Sequence, residues 1–145
     1  MSDSSYLPDL AGGMVAGASF TDDAVAEGAI GLLADSGVRP QDITVIASDP
    51  ARAERLAADR AWYPGKGERG LSKLVRRFTG ALPREVRRRY GPHLTAGRVV
   101  IIAAAGGQPA DTLAALFARA RGESIEQWWQ PPTSLFAPPE LAGPF

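Results

Sequence analysis

The chain has no cysteine, so neither a disulfide framework nor thiolate chemistry is open to it. Histidine is almost as scarce, with His93 standing alone, and a zinc site would have to be completed by carboxylates. No paired carboxylates fall at a spacing that suggests general acid–base work, and no G-x-G-x-x-G or P-loop pattern is present. Long apolar runs are also missing: none approaches the roughly 20 residues of a spanning helix, and Met1-Ser2-Asp3-Ser4-Ser5 lacks the basic and apolar regions of a secretory leader. These absences point to a soluble, cytoplasmic protein that uses no metal and no cofactor and is not an enzyme.

What is present begins with length and charge. Of 145 residues, 45% are hydrophobic, enough for one domain with its own core. Lysine and arginine match aspartate and glutamate at 16 each, yet the charges are segregated. Residues 1–59 hold ten acids against three bases, 60–98 eleven bases against two acids, and 99–145 four acids against two bases. Such segregation suits either two faces of an oligomer or a patch that attracts an anionic partner.

The stretch Val99-Val100-Ile101-Ile102-Ala103-Ala104-Ala105, bracketed by Gly97 and Gly106, reads as a central strand apolar on both faces. Residues 1–13, with Pro8 and Gly12-Gly13, read as an N-terminal arm. Met14–Phe20 forms a strand running into a helix capped by Thr21, in which Asp22 and Asp23 serve the helix N-terminus. That helix carries Ala26, Ile30 and Leu33 on one face and stops at Gly37. Ile43–Ala47 is the next strand, after which Ser48 or Asp49 caps a short helix from Pro50 to about Asp59.

Residues 61–70 read as a glycine-rich loop holding Trp62, Tyr63 and Lys66. Leu71, Leu74, Val75 and Phe78 then predict an amphipathic helix with Lys73, Arg76 and Arg77 outside. A second basic helix opens at Leu82-Pro83, with Val86 and Tyr90 on one face and Arg84, Arg87, Arg88 and Arg89 around it. Its end is expected at Gly91-Pro92, leaving His93 in a loop. As solvated helices, these arginines would pair with acids of the first half of the chain. After the central strand, Leu113, Leu116, Phe117 and Ala120 stripe another helix stopped by Gly122. Ser124–Trp129 suits an edge strand. Gln130–Phe145 contains five prolines and spaced apolar anchors, as an extended peptide docked on a surface would.

The order strand, helix, strand, basic helices, strand, helix, strand predicts an α+β fold. The specific expectation is a ferredoxin-like two-layer sandwich, a four-stranded sheet backed by helices. The single domain covers 14–129, with 48–81 as a basic helical insertion and 130–145 as a proline-rich tail.

In this setting Val15-Ala16-Gly17-Ala18-Ser19-Phe20 with Thr21-Asp22-Asp23-Ala24, Gly37-Val38 through Asp42-Ile43-Thr44-Val45-Ile46, and Leu82-Pro83 to Tyr90 followed by Leu94–Ile101 carry a resemblance. The chain resembles the small general stress protein domain family (heat-induced stress protein, YflT-like) over about 14–47 and 82–129. The resemblance implies a cytoplasmic bacterial domain linked to the stress response, with no catalytic residues to carry over. The basic insertion and the tail depart from that pattern.

The expected function is therefore non-catalytic protein binding, as a homo-oligomer (a homodimer, say) or as an accessory subunit of a larger complex. The expected contacts are Arg76, Arg77, Arg84, Arg87, Arg88, Arg89, Trp128, Leu135, Phe136, Leu141 and Phe145. Two alternatives stay open. The same arginines, with Trp62, Tyr63 and Tyr90, suit a polyanion or nucleic acid, and a pocket near Trp62, Tyr63 and His93 would suit a small-molecule enzyme or ligand sensor.

Overall fold

In the computed structural model, the residues described are 9–10, 13–63, 84–106, 108–130 and 133–134. Four long strands, β2 (Gly13–Phe20), β3 (Ile43–Ile46), β4 (Val99–Ala104) and β5 (Glu123–Gln130), form one antiparallel sheet in the order β3-β4-β2-β5. Two short strands, β1 (Asp9–Leu10) and β6 (Thr133–Ser134), pair with each other. They do so in register with β2 and β5: Gly13 faces Gln130, and three residues further along each chain Leu10 faces Thr133. The two pairings thus share one antiparallel register, and the expected arm and tail meet at these residues.

The helices are α1 (Asp23–Asp35), α2 (Pro50–Ala57), α3 (Arg84–Thr95) and α4 (Ala110–Arg119). Alternation along the strands sends Ala16, Ala18 and Phe20, Ile43 and Val45, and Val99, Ile101 and Ala103 into one core with α1, α2 and α4. The opposite face carries Val15, Ile46, Val100, Ile102 and Trp128 beneath Val86, Tyr90 and Leu94 of α3. The sheet is covered on both sides, so the expected two layers are three. A strand of consecutive β-branched residues demands this, because either face left bare would expose a sheet of apolar side chains to water. The expected insertion is also partly core: Ala53, Leu56 and Ala57 of α2 are buried in the first cluster, and Trp62 bonds to the backbone of β3.

Local chemistry sets the helix ends. Asp22, not Thr21, caps α1, accepting from the amides of Ala24 and Val25, and Asp49 caps α2 through Ala51. Helix α3 runs through Gly91 and Pro92, so His93 is helical. Its stop lies at Gly97, whose φ of 86° and N–H donated to the Leu94 carbonyl reverse the chain. Burying Leu94 on the sheet outweighs the hydrogen bond that Pro92 forgoes.

Asp23, in the first turn of α1, receives Arg52 at 2.7 Å and Arg55 at 3.1 Å from α2. Arg52 also donates to the Gly97 carbonyl, tying α1, α2 and the entry to β4 together. The Arg52 hydrogen bond, opposed by burial and aided by Arg55, holds the Asp23 carboxyl below its ordinary 3.8.

Two outcomes follow for stability. At Gly17 an added Cβ would lie 3.0 Å from the Tyr90 hydroxyl oxygen and 3.2 Å from the rings of Tyr90 and Trp128, whereas at Gly28 it meets nothing within 4 Å. Gly17→Ala is expected to cost about 1–3 kcal/mol and Gly28→Ala to stabilise by about 0.5–1 kcal/mol, both read by urea unfolding. A depressed carboxylate pKa adds stability above the unfolded-state value and loses it as pH falls through the folded one. Asp23→Asn should therefore cost up to about 1 kcal/mol at neutral pH, and its gap from wild type should close below about pH 4 in a pH series of unfolding midpoints.

Candidate functional site

Helix α3 carries the arginines that the sequence singles out. Val86, Tyr90 and Leu94 recur every fourth residue and are buried against the sheet, so the residues between them decide what faces outward. Arg88 donates to Glu85 at 2.8 Å. That contact, with a smaller contribution from Arg89, holds the Glu85 carboxyl below 4.5 and the Arg88 guanidinium in its charged form.

Arg89 turns inward. It bonds to Glu126 of β5 and lies 4.9 Å from the centre of the Trp128 ring, a cation–π placement. Its Nε lies 3.3 Å from Glu85 yet makes no hydrogen bond. Arg98, just before β4, reaches Glu123 at 2.6 Å. The expected partners of these arginines were the acids of the first half. In the structure they are Glu85 of α3 itself and two acids of β5, because α3 lies across the face on which β5 runs.

Arg84 and Arg87 are left exposed and make no ion pair with any described residue. They are the two α3 arginines whose charge stays available to a partner. Arg76, Arg77, Leu135, Phe136, Leu141 and Phe145 lie outside the described residues, as do Lys66 and the predicted helix over 71–78.

Trp128 is not on the surface. It is 5% exposed, tilted against Tyr90 at 6.1 Å between ring centres, and its indole N–H donates to Gln130 at 2.9 Å. Tyr90 itself donates to the Ser124 carbonyl at 2.9 Å. Burial first, and the Glu126 charge second, push its phenol well above the ordinary range, so it stays neutral. This cluster of Arg89, Tyr90, His93 and Trp128 is a packing device.

Among the described residues, the large apolar side chains that do face water are Trp129, 60% exposed, and its cross-strand partner Met14, 41% exposed. They sit side by side at the end of the sheet where β2 begins and β5 ends. The sequence offers a signal for this: adjacent tryptophans on one strand must point to opposite faces, so one Trp lies beneath α3 and the other does not.

Tyr63 does not join His93 in a pocket. Tyr63 belongs to the core on the α1 side of the sheet, whereas His93 packs against Tyr90 on the α3 side, 5.7 Å between ring centres. An open groove of about 350 Å³ lies elsewhere, between α1 and the end of α4, lined by Val25, Gly28, Leu32, Arg119, Ala120 and Arg121. Among the described residues no three histidines, aspartates or glutamates gather as a metal site, and no helix is long and apolar enough to cross a membrane.

Comparison of the chain with protein-family models, with curated proteins and with solved structures gives no match.

The division among the arginines is open to measurement. Arg84→Ala and Arg87→Ala should each change unfolding free energy by less than about 0.5 kcal/mol. Arg89→Ala removes a half-buried ion pair and a ring contact together and should cost about 1–3 kcal/mol. Equal costs at all three positions would refute the division.

Proposed function

We propose that this chain is a non-catalytic protein-binding module of the general-stress-protein type. In this reading it acts in the bacterial cytoplasm as a homo-oligomer or as an accessory subunit of a larger complex. The observation that carries the reading is the exposed pair Met14 and Trp129. A tryptophan in water is a large unfavourable apolar surface, and tryptophan and methionine are enriched where proteins meet. Arg84 and Arg87 add charge that no described residue neutralises, and the apolar residues Leu135, Phe136, Leu141 and Phe145 of the proline-rich end are further contacts in this proposal. The ferredoxin-like assignment belongs to it too. Read from the other edge, the sheet order is β5-β2-β4-β3 with every neighbour antiparallel, which supports it, while α3 on the second face is an addition to the plain sandwich.

A second reading, polyanion binding, is favoured by Arg84 and Arg87 and by the basic segment around them. The two readings separate by variant. Trp129→Ser in the full chain should abolish co-purification of a protein partner from the native source. Arg84→Glu with Arg87→Glu should weaken but not abolish co-purification of that partner, and should cut binding to heparin more than binding to the partner if a polyanion is the target. Undiminished co-purification with Trp129→Ser would refute the role given to the exposed tryptophan.

A further inference from the structure

The two edges of the sheet are treated differently. Along β3 the edge is closed: the Val45 amide donates to the Trp62 carbonyl and the Trp62 amide to the Ile43 carbonyl, both at 2.8 Å. Along β5 no described strand pairs with the outer side. Free strand edges are templates for pairing, and here the open stretch is bounded. At its start the ladder shifts register: between Gly17 and Ser19 on β2, two steps are matched by three on β5, from Glu126 to Glu123. Ser124, within that span, has a φ of 51°, as an extra residue in a bulge requires. At its far end stand Pro131 and Pro132, which have no amide to give a neighbouring strand. What remains is Glu126-Gln127-Trp128-Trp129-Gln130.

We propose that this window of β5 pairs antiparallel with the same window of a second copy of the chain, across a two-fold axis at Trp128. The inference rests on the protein-binding reading and names the partner. The register follows from symmetry. Antiparallel residues directly opposite one another lie on the same face, so the axis must pass through a residue rather than between two. Centred on Trp128, the window covers itself completely: Trp128 faces Trp128, Gln127 faces Trp129, and Glu126 faces Gln130. Moved one residue either way, it drives one end into the bulge or into the prolines.

No like charges meet in this register. The carboxylate of Glu126 is opposite an amide and is already neutralised by Arg89, so the charge that would normally guard an edge is spent within the subunit. Trp129 gains cover from Gln127 of the other copy. The bulge and the prolines stop the pairing at one neighbour, because a fully paired edge offers nothing to a third chain.

The test uses the absence of native cysteine. Sedimentation equilibrium of the full chain should give twice the 15.3 kDa monomer mass. Trp129→Glu should return it to monomer with an unchanged far-ultraviolet circular dichroism spectrum. Under mild oxidation, an equimolar mixture of Gln127→Cys and Trp129→Cys chains should form mixed disulfide dimers several times faster than either variant alone. A monomeric full chain at high protein concentration, or cross-linking of the mixture no faster than of an Arg39→Cys control, would overturn the proposal. A monomer that still co-purifies a foreign protein through Trp129 would sink the self-pairing while leaving the broader reading in place. A dimer that captures nothing else would support it.

Discussion

The close approach of Tyr90 to Gly17 is the constraint on which the second face of the sheet depends. A buried aromatic ring at the centre of a helix can lie flat on a strand only where that strand has no side chain beneath it. Gly17 supplies the gap, and its neighbours on the same face supply the walls. With Tyr90 seated, its hydroxyl reaches the Ser124 carbonyl at the β5 bulge, a backbone group that the irregular ladder would otherwise leave without a partner. One side chain thus anchors α3, fills the face and satisfies the defect in the edge strand.

The same geometry sorts the basic residues. Once Tyr90 fixes the rotation of α3, Arg89 must point across the sheet toward Glu126 and Trp128, whereas Arg84 and Arg87 must point away. The positive charge of this segment is therefore less than its sequence suggests, since Arg88, Arg89 and Arg98 each face a carboxylate. Exposed pairs of this kind contribute little individually. The Arg89 pair differs because the guanidinium is half-covered and also lies over an indole ring.

Much of the scaffold was legible from local pattern. The strands at Met14–Phe20, Ile43–Ala47 and Val99–Ala104, the stripe Leu113, Leu116, Phe117 of α4 and a cap at Ser48 or Asp49 all declare themselves through periodicity and end chemistry. What local pattern could not give was partnership. Gly91-Pro92 is a stop signal by composition, and only the docking of Leu94 keeps the helix going past it. The arginine partners depend on which face α3 covers, and that depends on Gly17. Trp128 and Trp129 look alike in sequence, yet strand alternation buries one and exposes the other. The count of layers was implicit in Val99–Ala103, whose consecutive apolar residues require cover on both sides, but the stripe Val86, Tyr90, Leu94 carries no local mark of which face it covers.

The order of strands also bears on how the chain is made. Neither β2 nor β3 pairs with the other; both pair with β4, and β2 waits for β5 as well. A ribosome that has released residues up to about 98 has therefore produced two apolar strands and no ladder to hold them. The nascent polypeptide must pass through a long interval with Val15–Phe20 unpaired and Ile43–Ile46 bonded only to Trp62, a topology dominated by distant contacts that closes late and is exposed to misassembly until it does.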